Sequence, residues 1–169
     1  MHPILANGCA RAATAAEARY RIDRPIAGRS ARVVALDEGA AAVVRRVAEQ
    51  PWSDARFFVA EGPASGAGAA NGAAADVVLR AIDGTTSLLS DELPDADVAI
   101  VVATSDDGAG AASTIAHACD ALGIMAAGLI LGDRLEVGAA VSALRPYAPV
   151  LLVTDDEGDV SEVLTALRA

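Results

Sequence analysis

The stretch "DVAIVVATSDDGAGAASTIAHACDALGIMAAGLIL", residues 97–131, decides the fold. Residues 97–104 form a continuous apolar, β-branched run, the pattern of a strand covered on both faces in a parallel sheet. Over 108–123, Ile115, Cys119 and Leu122 recur at helical spacing, and Gly123 suits a C-cap. Residues 124–131 read as the next buried strand. The join between strand and helix, "TSDDGAGAAS" (104–113), sits where α/β proteins hold phosphates. Its glycines suit that task, whereas the adjacent Asp106 and Asp107 oppose it.

The same cadence extends both ways along the chain. Downstream, residues 136–146 predict a helix stopped by Pro146, 149–154 a strand, and 159–169 a helix capped by Asp159. Upstream, 32–36 predict a strand, 40–50 a helix ending at Pro51, and 55–60 a second strand. Residues 61–76 are a Gly- and Ala-rich loop, and 77–83 fit strand or helix equally. Residues 1–30 form an arm with a helix-like run ending at Pro25. Residues 31–169 form one α/β domain built of strand–helix–strand units, a Rossmann-like three-layer sandwich with a mostly parallel sheet. Its ligand loops are expected at the strand ends: "LDEGAA" (36–41) and residues 104–113.

Composition narrows the function. A chain of 169 residues is long enough for a real core, and the formal net charge of -10 lacks the clustered positive charge that nucleic acid or an anionic membrane requires. No apolar run reaches membrane-spanning length, and no secretory signal is evident, so a cytoplasmic location is expected. All basic residues are arginine. That excludes a P-loop lysine, a Schiff-base lysine and a lysine general base. Cys9 and Cys119 read as free thiols without metal-ligand spacing.

Taken together, the loops resemble the N-terminal GTPase domain of the FtsZ/tubulin family. "RVVALDEGAAAVVRRV" lies without a gap on the family's first strand, glycine loop and helix. Residues 96–131 follow its Ala-Asp pair, strand, Gly-Gly-Gly-Thr-Gly-Thr-Gly loop, helix and next strand, two residues shorter around the loop. The resemblance spans about residues 31 to 155. It implies a nucleotide-binding-domain fold, with a phosphate site at Asp37, Glu38, Gly39 and Ala40 in one loop and Asp106, Asp107, Gly108, Ala109, Gly110 and Ala111 in the other. Here acids replace glycine and threonine. One carboxylate about 6 Å from a phosphate charge is repelled by roughly 3 kcal/mol at an effective dielectric near 20, whereas a helix N-terminus returns only about 0.3–1 kcal/mol. The acids therefore either forbid nucleotide or reserve the site for Mg²⁺, with Asp106 and Asp107 on the metal. The family's second domain and catalytic loop have no counterpart in the sequence, so hydrolysis by its mechanism is not expected.

The leading expectation is a non-catalytic FtsZ-like protein without a cofactor, acting by protein binding or self-association as a homo-oligomer, with neither nucleic acid nor membrane as partner. One alternative is a Mg²⁺-dependent GTP- or GDP-binding protein or weak NTPase. Another is a small-molecule enzyme using Asp37, Glu38 and Asp106 as acid–base groups, where crowding of acids would raise one pKa. A G-x-G-x-x-G fingerprint is not met, because only Gly39 follows the first strand. Ser113 and His117 share a helix face but lack a third orienting group, so His117 reads as a partly buried helix histidine. The acidic run 154–159 reads as a solvated loop, since it lacks the glycine and final Glu of a Ca²⁺ loop. Arg32, Arg45, Arg46 and Arg56 are expected to pair with acids, and Trp52 to anchor the loop after Pro51.

Overall fold

A computed structural model describes residues 28–63, 76–132 and 137–167. The arm up to residue 27, the body of the Gly/Ala-rich loop (64–75) and the start of the helix predicted at 136 lie outside the described residues. The chain runs β1 (Ala31–Ala35), α1 (Glu38–Ala48), β2 (Ala55–Pro63), β3 (Val77–Ala81), β4 (Thr86–Leu88), α2 (Leu89–Glu92), β5 (Val98–Ala103), α3 (Ala109–Leu122), β6 (Met125–Leu131), α4 (Gly138–Leu144), β7 (Val150–Thr154) and α5 (Gly158–Leu167).

The seven strands form one sheet in the order β4-β3-β2-β1-β5-β6-β7. β2, β1, β5, β6 and β7 are mutually parallel, while β3 is antiparallel to both β2 and β4. The undecided segment 77–83 is thus a strand and a turn. The signal for it was Asp83-Gly84, a dipeptide that favours tight hairpins because glycine accepts positive φ; Gly84 has φ 90.

Helices cover both faces, as the doubly apolar strands require. α1 and α5 pack Ala40, Val43, Val44, Val47, Val160 and Leu164 against Val33, Ile100 and Leu129. On the other face, α3 and α4 pack Ile115, Cys119, Ala140 and Leu144 against Val34, Val101 and Ile130. β1 and β5 are buried along their whole length. Each fully buried Val, Ile or Leu contributes about 1.5–3 kcal/mol, and with 3% aromatic residues these aliphatics must supply the core. No helix among the described residues is long and apolar enough to cross a membrane.

Three local expectations need correction. Leu122 is 53% exposed instead of core, because it ends α3 one turn beyond the buried Cys119. Asp159 lies inside the first turn of α5; Asp156, one turn earlier in the loop, accepts from the Gly158 N–H at 2.8 Å. His117 is exposed, with Nε2 3.0 Å from the Tyr147 hydroxyl. Other expectations hold. Gly123 ends α3 at φ 69, and Trp52 Nε1 donates to the Val47 carbonyl at 2.8 Å while its ring tilts against Phe57.

The four arginines all pair with acids. Arg45 meets Glu38 at 3.1 Å and Arg46 meets Glu157 at 2.6 Å, both at the surface. Arg32 and Glu92 are buried, with Nε 3.5 Å from the carboxylate and 3.2 Å from the Glu92 carbonyl. Arg56 closes on the same carboxylate at 2.5 Å. Satisfying a buried guanidinium this fully ties the start of β1 to the segment after α2.

Candidate functional site

The sheet order reverses at β1. The chain leaves β1 for β2 on one side and returns to β5 on the other. Open α/β sheets form a crevice at such a point, outside the carboxyl ends of the two strands. The two loops singled out from sequence both open there: Leu36–Asp37 after β1, and Thr104–Gly108 after β5.

Asp37 fills the crevice between them. It is the N-cap of α1, in extended conformation, and its Oδ1 accepts from the Ala40 N–H at 2.8 Å. The same carboxylate reaches across to the other loop. Oδ2 accepts from the N–H groups of Thr104 at 2.7 Å and Ser105 at 3.1 Å, and Oδ1 accepts from the Thr104 hydroxyl at 2.5 Å. A carboxylate offers about four lone-pair sites, so these four donors saturate it. Burial alone raises the Asp37 carboxyl. The hydrogen bonds from Thr104, Ala40 and Ser105 outweigh it and hold the group below its ordinary value. The raised pKa expected of crowded acids is therefore not met at Asp37, which faces donors instead of other acids.

Glycines allow the loops to close. A Cβ on Gly39 would run into the Thr104 hydroxyl, and a Cβ on Gly108 would meet the side chain of Leu36 and lie 2.8 Å from its carbonyl oxygen. Backbone cannot yield as a side-chain tip does, so Gly108 fixes the approach of α3 to the end of β1. In a phosphate loop such glycines let the ligand come close. Here they let protein come close to protein.

The remaining predicted residues separate. Glu38 is exposed and paired with Arg45. Asp106 turns away from the crevice and accepts from the Ala140 N–H at 2.9 Å, capping α4. Asp107 is exposed, with Oδ2 3.2 Å from the Ser105 hydroxyl. The two aspartates thus serve different partners, and no group of three or more His, Cys, Asp or Glu side chains suited to a metal occurs among the described residues. Ala40 is buried against the sheet, and Ala109 is half-buried in the first turn of α3.

Asp107, Gly108, Gly110 and Ala111 line a separate cavity of about 540 Å³ between the start of α3 and the end of β2, with Leu36 and Glu61 among its other walls. The N-cap of α3, Gly108, provides no side-chain acceptor for the first N–H groups of that helix. Sequence reasoning named both loops but missed Thr104 and Ser105 as the donors that bind Asp37. A serine and threonine following a buried strand were the available signal.

No family model, curated protein or solved structure matches the chain.

Proposed function

We propose that this chain is a non-catalytic relative of the FtsZ/tubulin nucleotide-binding domain that acts by protein binding or self-association, its phosphate crevice occupied by its own Asp37. The observation that carries the reading is the coordination of that carboxylate by Ala40, Thr104 and Ser105. Backbone N–H groups at a strand end and a helix N-terminus are the donors a phosphate would take. A nucleotide would have to displace an anion already bonded on all sides. A general-base role for Asp37 is disfavoured by the same bonds, since its proton affinity is lowered and its lone pairs are engaged. Isothermal calorimetry with GTP and GDP, with and without Mg²⁺, is expected to give no binding heat. Tight binding in either condition would sink the proposal.

One observation favours a second reading. The cavity beside α3 has on its wall a helix start that no N-cap side chain closes, together with Asp107, which suits a Mg²⁺–nucleotide complex. On that reading, nucleotide raises the melting temperature only when Mg²⁺ is present, and Asp107→Ala abolishes the rise.

A further inference from the structure

We infer that the free edge of β7 is a self-association surface, on which a second copy of this chain pairs antiparallel through its own β7. The inference rests on the reading that the protein acts through its surfaces. Among the described residues, β7 ends the sheet and pairs only with β6. Its sequence, VLLVT, contains no charge, proline or glycine. Val150 is 38% exposed, and Leu151, Leu152 and Val153 are only half-buried. Lone proteins usually blunt such edges with lysine, proline, a bulge or extreme shortness. The opposite edge is treated that way, because β4 has three residues. β7 is not.

The hydrogen-bond pattern sets the register. Gly132 N–H donates to the Thr154 carbonyl at 2.9 Å, and Thr154 lies opposite Leu131. The backbone polar groups of Thr154, and by alternation those of Leu152 and Val150, therefore point toward β6. Those of Leu151 and Val153 point off the edge. An antiparallel copy centred on Leu152 sets Leu151 against the partner's Val153 and Val153 against the partner's Leu151, each donating and accepting once. Shifting the centre to Leu151 would bring Pro149, which has no N–H, into the ladder; shifting it to Val153 would bring in Asp155. Only the Leu152 register uses VLLVT alone.

Packing and charge agree with it. Leu151 and Val153 face the α4 side of the sheet, where an open groove of about 460 Å³ runs between them and Gly138, Val141, Ser142 and Arg145. The partner's Leu151 and Val153 would lie on that same face and fill it. Leu152 faces the other side and meets its own copy there. Arg145 is exposed and in no ion pair among the described residues. It precedes β7, whereas the exposed Asp155 and Asp156 follow it. Antiparallel pairing brings Arg145 to the partner's acids at both ends of the joint. Parallel pairing would stack like acids on one another.

Sedimentation equilibrium of the full chain across the micromolar range tests this. The expected result is a monomer–dimer equilibrium. Val153→Pro removes an N–H that points off the edge while sparing the β6 ladder, and is expected to leave a monomer. Arg145→Glu, a surface change, is expected to weaken the dimer by about tenfold, and adding Asp155→Arg to it to restore pairing. Circular dichroism verifies folding; if the proline variant unfolds, the charge pair alone decides. A wild type that stays monomeric, a dimer insensitive to Arg145→Glu, no rescue by Asp155→Arg, or species that grow without limit would each overturn the inference. A monomeric wild type that also gives no heat with GTP would leave the closed crevice standing, so the two failures are distinguishable.

Discussion

Asp37 concentrates four hydrogen bonds on one side chain and so joins two loops that are 67 residues apart in sequence. Replacing it with Ala leaves the N–H groups of Ala40, Thr104 and Ser105 without their acceptor, at a cost of about 2–4 kcal/mol. Asp37→Asn keeps one acceptor oxygen and is expected to lose about half as much; urea unfolding at neutral pH measures both. The pH dependence has a definite sign. The folded-state pKa lies below the ordinary 3.8, so the stabilisation is fully present above that value and is lost as pH falls through the folded pKa. Between pH 4 and pH 2, Asp37→Asn is therefore expected to lose less stability than the wild type. The sequence made Asp37 legible as an acid at a strand end, where α/β sheets bind ligands. Its full role was not legible, because three of its four donors come from the loop after β5 and only the strand order brings them near.

At the level of elements, the loop after β5 joins two helices through unlike devices. Gly108 brings the start of α3 against Leu36, and Asp106 caps α4, whose own N-cap, Val137, supplies no side-chain bond. Asp106→Ala is expected to cost about 1 kcal/mol, with the amides of residues 138–142 exchanging faster than those of α3 in hydrogen-exchange measurements. An unchanged α4 would mean the cap contributes nothing. The parallel strands and every helix but the four-residue α2 were legible, because buried aliphatics recur at the correct period in them. The β3–β4 hairpin was less so: it buries only one face, its strands are short, and residues such as Thr86 and Ser87 have no strong period. The partner of Asp106 was hidden for a different reason, since a cap borrowed from a distant loop leaves no local pattern.

On the scale of the whole molecule, the aliphatic core encloses Cys119, which has no exposed surface. Burial pushes its thiol up to about 11, so at pH 8 it is protonated as well as shielded. In a Cys9→Ala variant, labelling of Cys119 by a disulfide reagent is expected to proceed only as fast as the protein opens, and to accelerate with urea in step with unfolding. Immediate labelling in native buffer would show that the α3 face opens locally. The tether on Asp37 also has a consequence for how the two halves of the sheet stay together. A loose ligand stabilises its receptor according to its concentration. A carboxylate carried by the chain is present at a fixed effective concentration, so the latch between β1 and β5 has no dose dependence. The fold therefore does not soften when small anions become scarce, nor stiffen when they are abundant.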